Sequence, residues 1–266
     1  DTEVLLSAYR QWKEECLSRL NGMFAFAIWD GERQTLFAAR DRLGKKPFFY
    51  YQDGKRFLFA SEMKSILVNE EVGRDIDLFA LDDYLTSTHI PAPRTIYRQV
   101  RKLEPAHYLV LKNGTIRLQR YWRISFDERS VRRNEGDLVE ELRERFTEAV
   151  RLRMISDVPI GAFLSGGLDS SGVVGVMAGL SPTPIRTFTI GFAEERYSEI
   201  EDARRIARRF GTDHEEFIVK PSAVDVLPDI VWHFDEPFGD SSAVPTYYVS
   251  RMAAQRVKVV LTGDGG

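Results

Sequence analysis

The chain has 266 residues, 43% hydrophobic and 29% charged, a balance that suits a globular protein with room for two ordinary domains. Its formal net charge of −3 argues against a general nucleic-acid binder, which is usually basic. No apolar run reaches the length of a membrane span, nothing reads as a signal peptide, and a single cysteine excludes an internal disulfide framework and fits a reducing cytoplasm.

From the first residues, Val4, Ala8, Trp12, Cys16 and Leu20 recur every fourth position and predict one helical stripe. Apolar runs at 23–29 and 35–39 flank Asp30-Gly31 and predict a hairpin. Similar pairs follow at 48–51 and 57–60, around Asp53-Gly54, and at 108–111 and 116–118, around Asn113-Gly114. Short helices are expected near 62–68 and 78–86. The first half is thus dominated by antiparallel strands.

The pattern changes after Tyr121-Trp122. Residues 127–134 are highly charged without apolar periodicity and read as a linker, with Asp137 capping a helix whose apolar positions include 138, 142, 146, 149 and 150. Strands at 160–164, 186–192, 215–219 and 257–261 then alternate with helices at 170–178, 199–210 and 224–232. This alternation predicts a parallel sheet with helices on both faces, and ligands in such folds sit at the carboxyl ends of the strands. The organisation expected is a domain over 1–126, a linker over 127–136 and a second domain over 137–266.

The sharpest feature is Leu164-Ser165-Gly166-Gly167-Leu168-Asp169-Ser170-Ser171, where an expected buried strand runs into a loop and a helix follows at once. The glycines allow a tight turn and close approach of backbone N–H groups to an anion, and a helix N-terminus adds unpaired N–H groups and its dipole. Ser165, Ser170 and Ser171 can add hydroxyl donors. No Lys-Ser/Thr pair follows, so this is not a Walker A loop, nor is it a Gly-x-Gly-x-x-Gly turn. Two glycines alone fit a bare tight turn as well as a phosphate site, but with three serines, Asp169 and the strand–loop–helix setting they predict a phosphate cradle. An acid beside phosphates makes sense if Mg²⁺ lies between them.

Those residues resemble the pyrophosphate loop of N-type ATP pyrophosphatases. Ile155-Ser156-Asp157-Val158-Pro159, Asp235-Glu236-Pro237-Phe238-Gly239-Asp240-Ser241-Ser242 and the closing Val259-Val260-Leu261-Thr262-Gly263-Asp264-Gly265-Gly266 are similar to class B glutamine-dependent asparagine synthetases. The first half resembles the later part of that family's N-terminal-nucleophile glutaminase domain. The matching stretches are Asp1-Thr2-Glu3-Val4, Asn21-Gly22-Met23-Phe24-Ala25-Phe26, Arg40-Asp41-Arg42-Leu43-Gly44-Lys45-Lys46-Pro47 and Ala60-Ser61-Glu62. The resemblance implies the C-terminal part of an αββα glutaminase domain followed by a doubly wound parallel-sheet ATP pyrophosphatase domain.

It also implies an activity: aspartate is converted to asparagine through β-aspartyl-AMP, with ATP and Mg²⁺ and with ammonia drawn from glutamine. Leu164 and Ile190 would line the adenosine pocket, and Ser165, Gly166, Gly167, Leu168, Asp169 and Ser170 would hold the phosphates. Thr262 and Gly263 would close the nucleotide site, Asp169 would bind the metal, and Asp1 would grip the α-amino group of glutamine. Ser241 and Ser242 lie where the family builds its acceptor loop. The resemblance implies L-aspartate, L-glutamine and ATP as substrates, no nucleic-acid or membrane partner, and admits a homodimer. The start at Asp1 rather than Met, and the stop inside a glycine loop, are what a segment cut at both ends would give. The nucleophilic cysteine is expected to precede Asp1, so a segment of this extent is expected not to hydrolyse glutamine. A related ligase that adenylates another carboxylate remains the alternative.

Cys16, in mid-stripe, reads as a core residue. His89, His107, His214 and His233 show no metal-ligand spacing. Asp213-His214-Glu215-Glu216 reads as a solvated strand edge, with some prospect of lying near the acceptor site. Arg40-Asp41-Arg42 reads as a shaped turn facing a domain interface. The aromatics Phe24, Phe26, Phe48, Phe49, Phe57 and Phe59 read as sheet core.

Overall fold

Thr2–Trp12 form helix α1, but the stripe expected to run on to Leu20 breaks where Lys13 takes a positive φ of 50°. A 3-10 stretch, Lys13–Arg19, continues from there. The computed structural model describes residues 1–126, 134–192, 199–219 and 223–264. The break lets Ala8 and Tyr9 from the helix and Cys16 and Leu17 from the tighter turn reach one core, while Val4 stays exposed.

The antiparallel runs follow the alternating pattern. Strands β1 (Ala25–Asp30) and β2 (Thr35–Arg40) pair, as do β3 (Phe49–Gln52) and β4 (Phe57–Ala60). Helices α2 (Met63–Leu67) and α3 (Leu78–Ser87) come next, then β5 (Val100–Lys102), β6 (His107–Lys112) and β7 (Thr115–Arg120). Asn113 and Gly114 both take positive φ, 51° and 74°, the signature of a tight two-residue hairpin turn. Strand β5 has no alternating run long enough to announce it; it is recruited by pairing Val100 opposite Tyr51.

Two sheets result, ordered β1-β2-β6-β7 and β4-β3-β5. Period-two alternation sends Phe37 and Ala39 toward α1 and Ala38 toward the second sheet, where it and its neighbour Leu109 of β6 meet Phe48 and Tyr50. Phe49 and Tyr51 point the other way, into a core with Met63 and Ile66 of α2 and Ala80 of α3. The layers are therefore helix, sheet, sheet, helix. Arg40 and Asp41, expected at a domain interface, spend their bonds within this unit. Asp41 accepts from the N–H groups of Leu43, Lys45 and Lys46 at 3.1, 2.9 and 3.0 Å, and Arg40 donates to the carbonyls of Gly44, Lys46 and Leu103, each at 2.7 Å.

The second unit begins with α4 (Glu135–Arg153). Its cap is Asn134, which accepts from Gly136 N at 2.7 Å, rather than the expected Asp137, which sits inside the first turn. The charged stretch 127–133 lies outside the described residues. Then come β8 (Ile160–Phe163), α5 (Leu168–Leu180), β9 (Arg186–Phe192), α6 (Ile200–Phe210), β10 (Asp213–Val219), α7 (Ala223–Phe234), α8 (Ala243–Ala253) and β11 (Val259–Leu261). The strands are parallel in the order β10-β9-β8-β11. Ala162 and Leu164 face a core with Val174 and Met177 of α5 and Ala203 of α6, while Phe163 faces Phe188, Val249 and Ala253 on the other side. Both faces are thus covered. Among the described residues no helix is long and apolar enough to cross a membrane.

Asp1–Phe126 with Val231–Asp240 form one compact unit, and the other described residues form another. In the first, Asp235 meets Lys64 at 2.9 Å, Glu236 pairs with Lys102, and Gly239 N donates to Thr88 O at 2.9 Å.

Candidate functional site

The strand order places β8 between β9, which follows it in the chain, and β11, which comes last. The connection leaving β8 runs to β9 on one side, while β11 is added on the other only after β10, and a crevice opens at the carboxyl ends of β8 and β11. A cavity of about 310 Å³ lies there. Leu164, Ser165, Gly167, Asp169, Ser170, Ile190, Thr262 and Gly263 all line it.

Backbone pairing carries the strand one residue beyond β8: Leu164 N donates to Phe188 O at 2.9 Å, and the buried Thr189 hydroxyl donates to Leu164 O. The chain then turns. Gly166 takes φ +80°, and a Cβ there would stand 2.6 Å from Cβ of Asp202 and 2.8 Å from Ala203 N. An L side chain is excluded twice over, by conformation and by the close approach of α6. The hydroxyls of Ser165 and Ser170 lie 2.9 Å apart, Gly167 N donates to Ser165 Oγ at 3.3 Å, and the Ser170 hydroxyl donates to Gly167 O at 3.3 Å. The loop is closed on itself by these bonds.

Helix α5 starts at Leu168 with no side-chain cap, so the first-turn N–H groups have no intrahelical acceptor and carry the positive end of the dipole. Gly263 stands over that end: a Cβ on it would lie 2.6 Å from Ser170 N and 3.0 Å from Cβ of Asp169. The lining divides by chemistry. Leu164, Ile190 and Val249 are apolar, whereas Ser165, Asp169, Glu199, Thr246 and Thr262 are polar. An apolar wall for a flat ring system next to convergent donors for an anion suits a nucleotide.

Two residues expected here are placed differently. Gly166 does not line the cavity; it packs against α6 and shapes the turn. Leu168 is 88% exposed and also lies off the lining. Ser241 and Ser242 precede α8 without lining the cavity; α8 instead contributes Pro245 and Thr246. Sequence reasoning missed Thr189, Glu199 and Thr246. Thr189 adjoins Ile190 in the middle of β9, a usable signal, whereas Thr246 lies on a helix that Pro245 disguises.

His214 lies at the amino end of β10, away from the crevice. Its Nδ1 is 2.8 Å from the Thr187 hydroxyl, which is 2.8 Å from that of Thr212. Burial pushes the imidazole pKa below its ordinary value, and the nearby Glu216 carboxylate pulls the other way. Cys16 is fully buried, as a core residue would be.

In the first unit, Asp1 lines a larger cavity of about 750 Å³ with Asn21, Gly22, Met23, Lys46 and Ser61. The Asp41 carboxylate, accepting from Lys45 N and Lys46 N, holds the wall that Lys46 provides.

Residues 141–266 match the family model described as asparagine synthase, and residues 1–122 match that of a glutamine amidotransferase domain. The chain is 39% identical over 267 residues to asparagine synthetase (glutamine-hydrolyzing) 1 of Bacillus subtilis, covering 100% of this chain and 42% of that protein. It is 43% identical over 272 residues to putative asparagine synthetase (glutamine-hydrolyzing) 2 of Methanocaldococcus jannaschii, covering 100% of this chain and 52% of that protein. It is also 32% identical over 284 residues to amidase chyE of Penicillium rubens, again over 100% of this chain and 42% of that protein. The chain spans about half the length of the curated relatives it matches.

Proposed function

We propose, from the premise that this chain belongs to the glutamine-hydrolysing asparagine synthetase family, that it serves an ATP-dependent amidotransferase making asparagine from aspartate. In this reading residues 1–126 are glutaminase, 127–136 a linker and 137–266 synthetase. The observation that carries it is the convergence of Ser165, Ser170 and the uncapped start of α5 at the crevice beside β8, with Gly263 closing over them.

Leu164 and Ile190 would hold the adenosine, while Ser165, Gly167, Ser170 and the first N–H groups of α5 would donate to the phosphates. The β-carboxylate of aspartate attacks the α-phosphorus. The bond from that phosphorus to the bridging oxygen breaks, leaving β-aspartyl-AMP and pyrophosphate. Donors fixed on the departing phosphates stabilise the charge that accumulates there, the main contribution such a cradle makes. The lone pair of ammonia then attacks the acyl carbon, and AMP leaves with the bonding electrons. In the larger cavity, Asp1 would grip the α-amino group of the glutamine that supplies ammonia.

Asp169 lines the same crevice, and its carboxylate has no bonded partner among the described residues. Nor, among them, do three His, Cys, Asp or Glu side chains gather as a metal site. One carboxylate facing phosphates fits Mg²⁺, which is commonly held by one or two carboxylates plus substrate phosphates. Bound there, the ion would neutralise phosphate charge.

A second reading rests on the amidase relative, which matches this whole chain: the same scaffold could adenylate a different carboxylate. The test is pyrophosphate release by the complete reading frame, with ATP, Mg²⁺ and ammonia, with and without L-aspartate. Release that requires aspartate and yields asparagine supports the first reading. Release that requires another carboxylate supports the second.

A further inference from the structure

A third cavity lies in the first unit, where the loop over 93–98 runs beside the residues leading into α3. It measures about 290 Å³ and is lined by Arg94, Arg98 and Arg101, with Thr95, Tyr97 and Asp77 among its other walls. Three arginines against one acid around so small a space give it a positive balance, and low-dielectric walls focus such a potential. Their hydrogen-bonding capacity is only partly spent. Arg94 Nη1 donates to Asp83 at 3.0 Å, and Arg98 donates through Nε alone, to Ile76 O at 3.0 Å. Arg101 has no carboxylate or carbonyl partner among the described residues.

The one acidic wall is already engaged. Asp77 Oδ1 caps α3, accepting from Phe79 N at 3.0 Å and Ala80 N at 3.4 Å, so its charge is offset by the helix start. Its backbone N–H donates to Ile96 O at 2.9 Å, and Arg98 N donates to Asp75 O at 3.0 Å, which ties the two strips of chain together. The cavity walls are thus fixed by main-chain bonds, while the guanidinium of Arg101 and the Nη groups of Arg98 keep their donors unspent among the described residues. A volume of about 290 Å³ is ample for a compact anion.

We propose that this cavity is a binding site for a small, multiply charged oxyanion of the phosphate class, held by Arg98 and Arg101 with Arg94 at the rim. Guanidinium forks match the oxygens of a phosphate group two at a time, a geometry that ammonium groups do not reproduce. The site is separate from the serine-lined crevice and does not depend on what that crevice binds.

The test reads each arginine by itself. Phenylglyoxal modification, mapped by peptide mass spectrometry, is followed with and without inorganic pyrophosphate, and with sodium chloride at matched ionic strength. Pyrophosphate should slow modification of Arg98 and Arg101 at least about tenfold while leaving the strand residue Arg117 unchanged, the protection expected of charge-assisted bonds. Arg101→Gln should remove most of the protection at Arg98, and Arg101→Lys should weaken it about tenfold. Equal protection by chloride would mean screening rather than a site. That outcome, or no protection at Arg98 and Arg101, would overturn the proposal.

Discussion

Gly263 stands so close to Ser170 that a Cβ on the glycine would come within 2.6 Å of the serine's backbone nitrogen. The contact joins the chain leaving β11 to the first turn of α5, the two sides of the crevice. Gly263→Ala should force these apart, costing about 1–3 kcal/mol as overpacking usually does. ATP affinity should fall by at least about tenfold, more than the melting temperature would suggest. Calorimetric titration beside thermal melting separates the two effects.

Gly166 serves the same loop from the other side. Its φ of +80° and the 2.6 Å approach of Asp202 Cβ make Gly166→Ala strained in both conformation and packing. The left-handed penalty of about 1–2 kcal/mol adds to an overpacking cost of similar size. Urea denaturation should show a loss of about 2–4 kcal/mol with an unchanged slope.

Lys102 pairs with Glu236 inside the first unit, and each side chain is 14% exposed. Burial pushes the Glu236 carboxyl pKa up, and Lys102 opposes that shift. Lys102→Met leaves the carboxylate buried without its counter-charge, a change that costs about 3–5 kcal/mol near pH 7. An acid whose pKa is raised by folding is penalised above its unfolded value, here near 4.5, and not below it. The destabilisation should therefore shrink as pH approaches about 4, which melting curves across that range would reveal.

His214 gives the opposite dependence. Burial holds its imidazole below the ordinary 6.5, so the unfolded chain binds the proton first. Stability should fall as pH drops below 6.5, and His214→Gln should flatten that slope. Glu216, whose carboxyl the Arg204 hydrogen bonds hold below 4.5, contributes only at lower pH and does not mask the effect. Melting temperature against pH for the two proteins is the measurement.

Much of this architecture was legible in the residues. The Asn113-Gly114 hairpin and the strand–loop–helix around Ser165 announce themselves because local chemistry and global packing agree. Strand β5 did not, since its three residues become a strand only by pairing with β3. Helix α8 was hidden by Pro245, which reads as a breaker but sits in the first turn, where a missing N–H costs nothing. The break at Lys13 was invisible because a four-residue spacing says nothing about where backbone φ changes sign. In the crevice, Leu164, Ser165 and Ser170 were found from their motif. Glu199 and Thr246 were not, because tertiary folding brings them from distant parts of the chain.

The central claim is that the crevice beside β8 holds the phosphates of ATP, and equilibrium titration with ATP and Mg²⁺ tests it most directly. The native chain should bind one ATP, and Ser165→Ala with Ser170→Ala should weaken that binding at least about tenfold, at about two lost charge-assisted bonds. Unweakened binding in the doubly substituted chain, or no binding by the native one, would contradict the account.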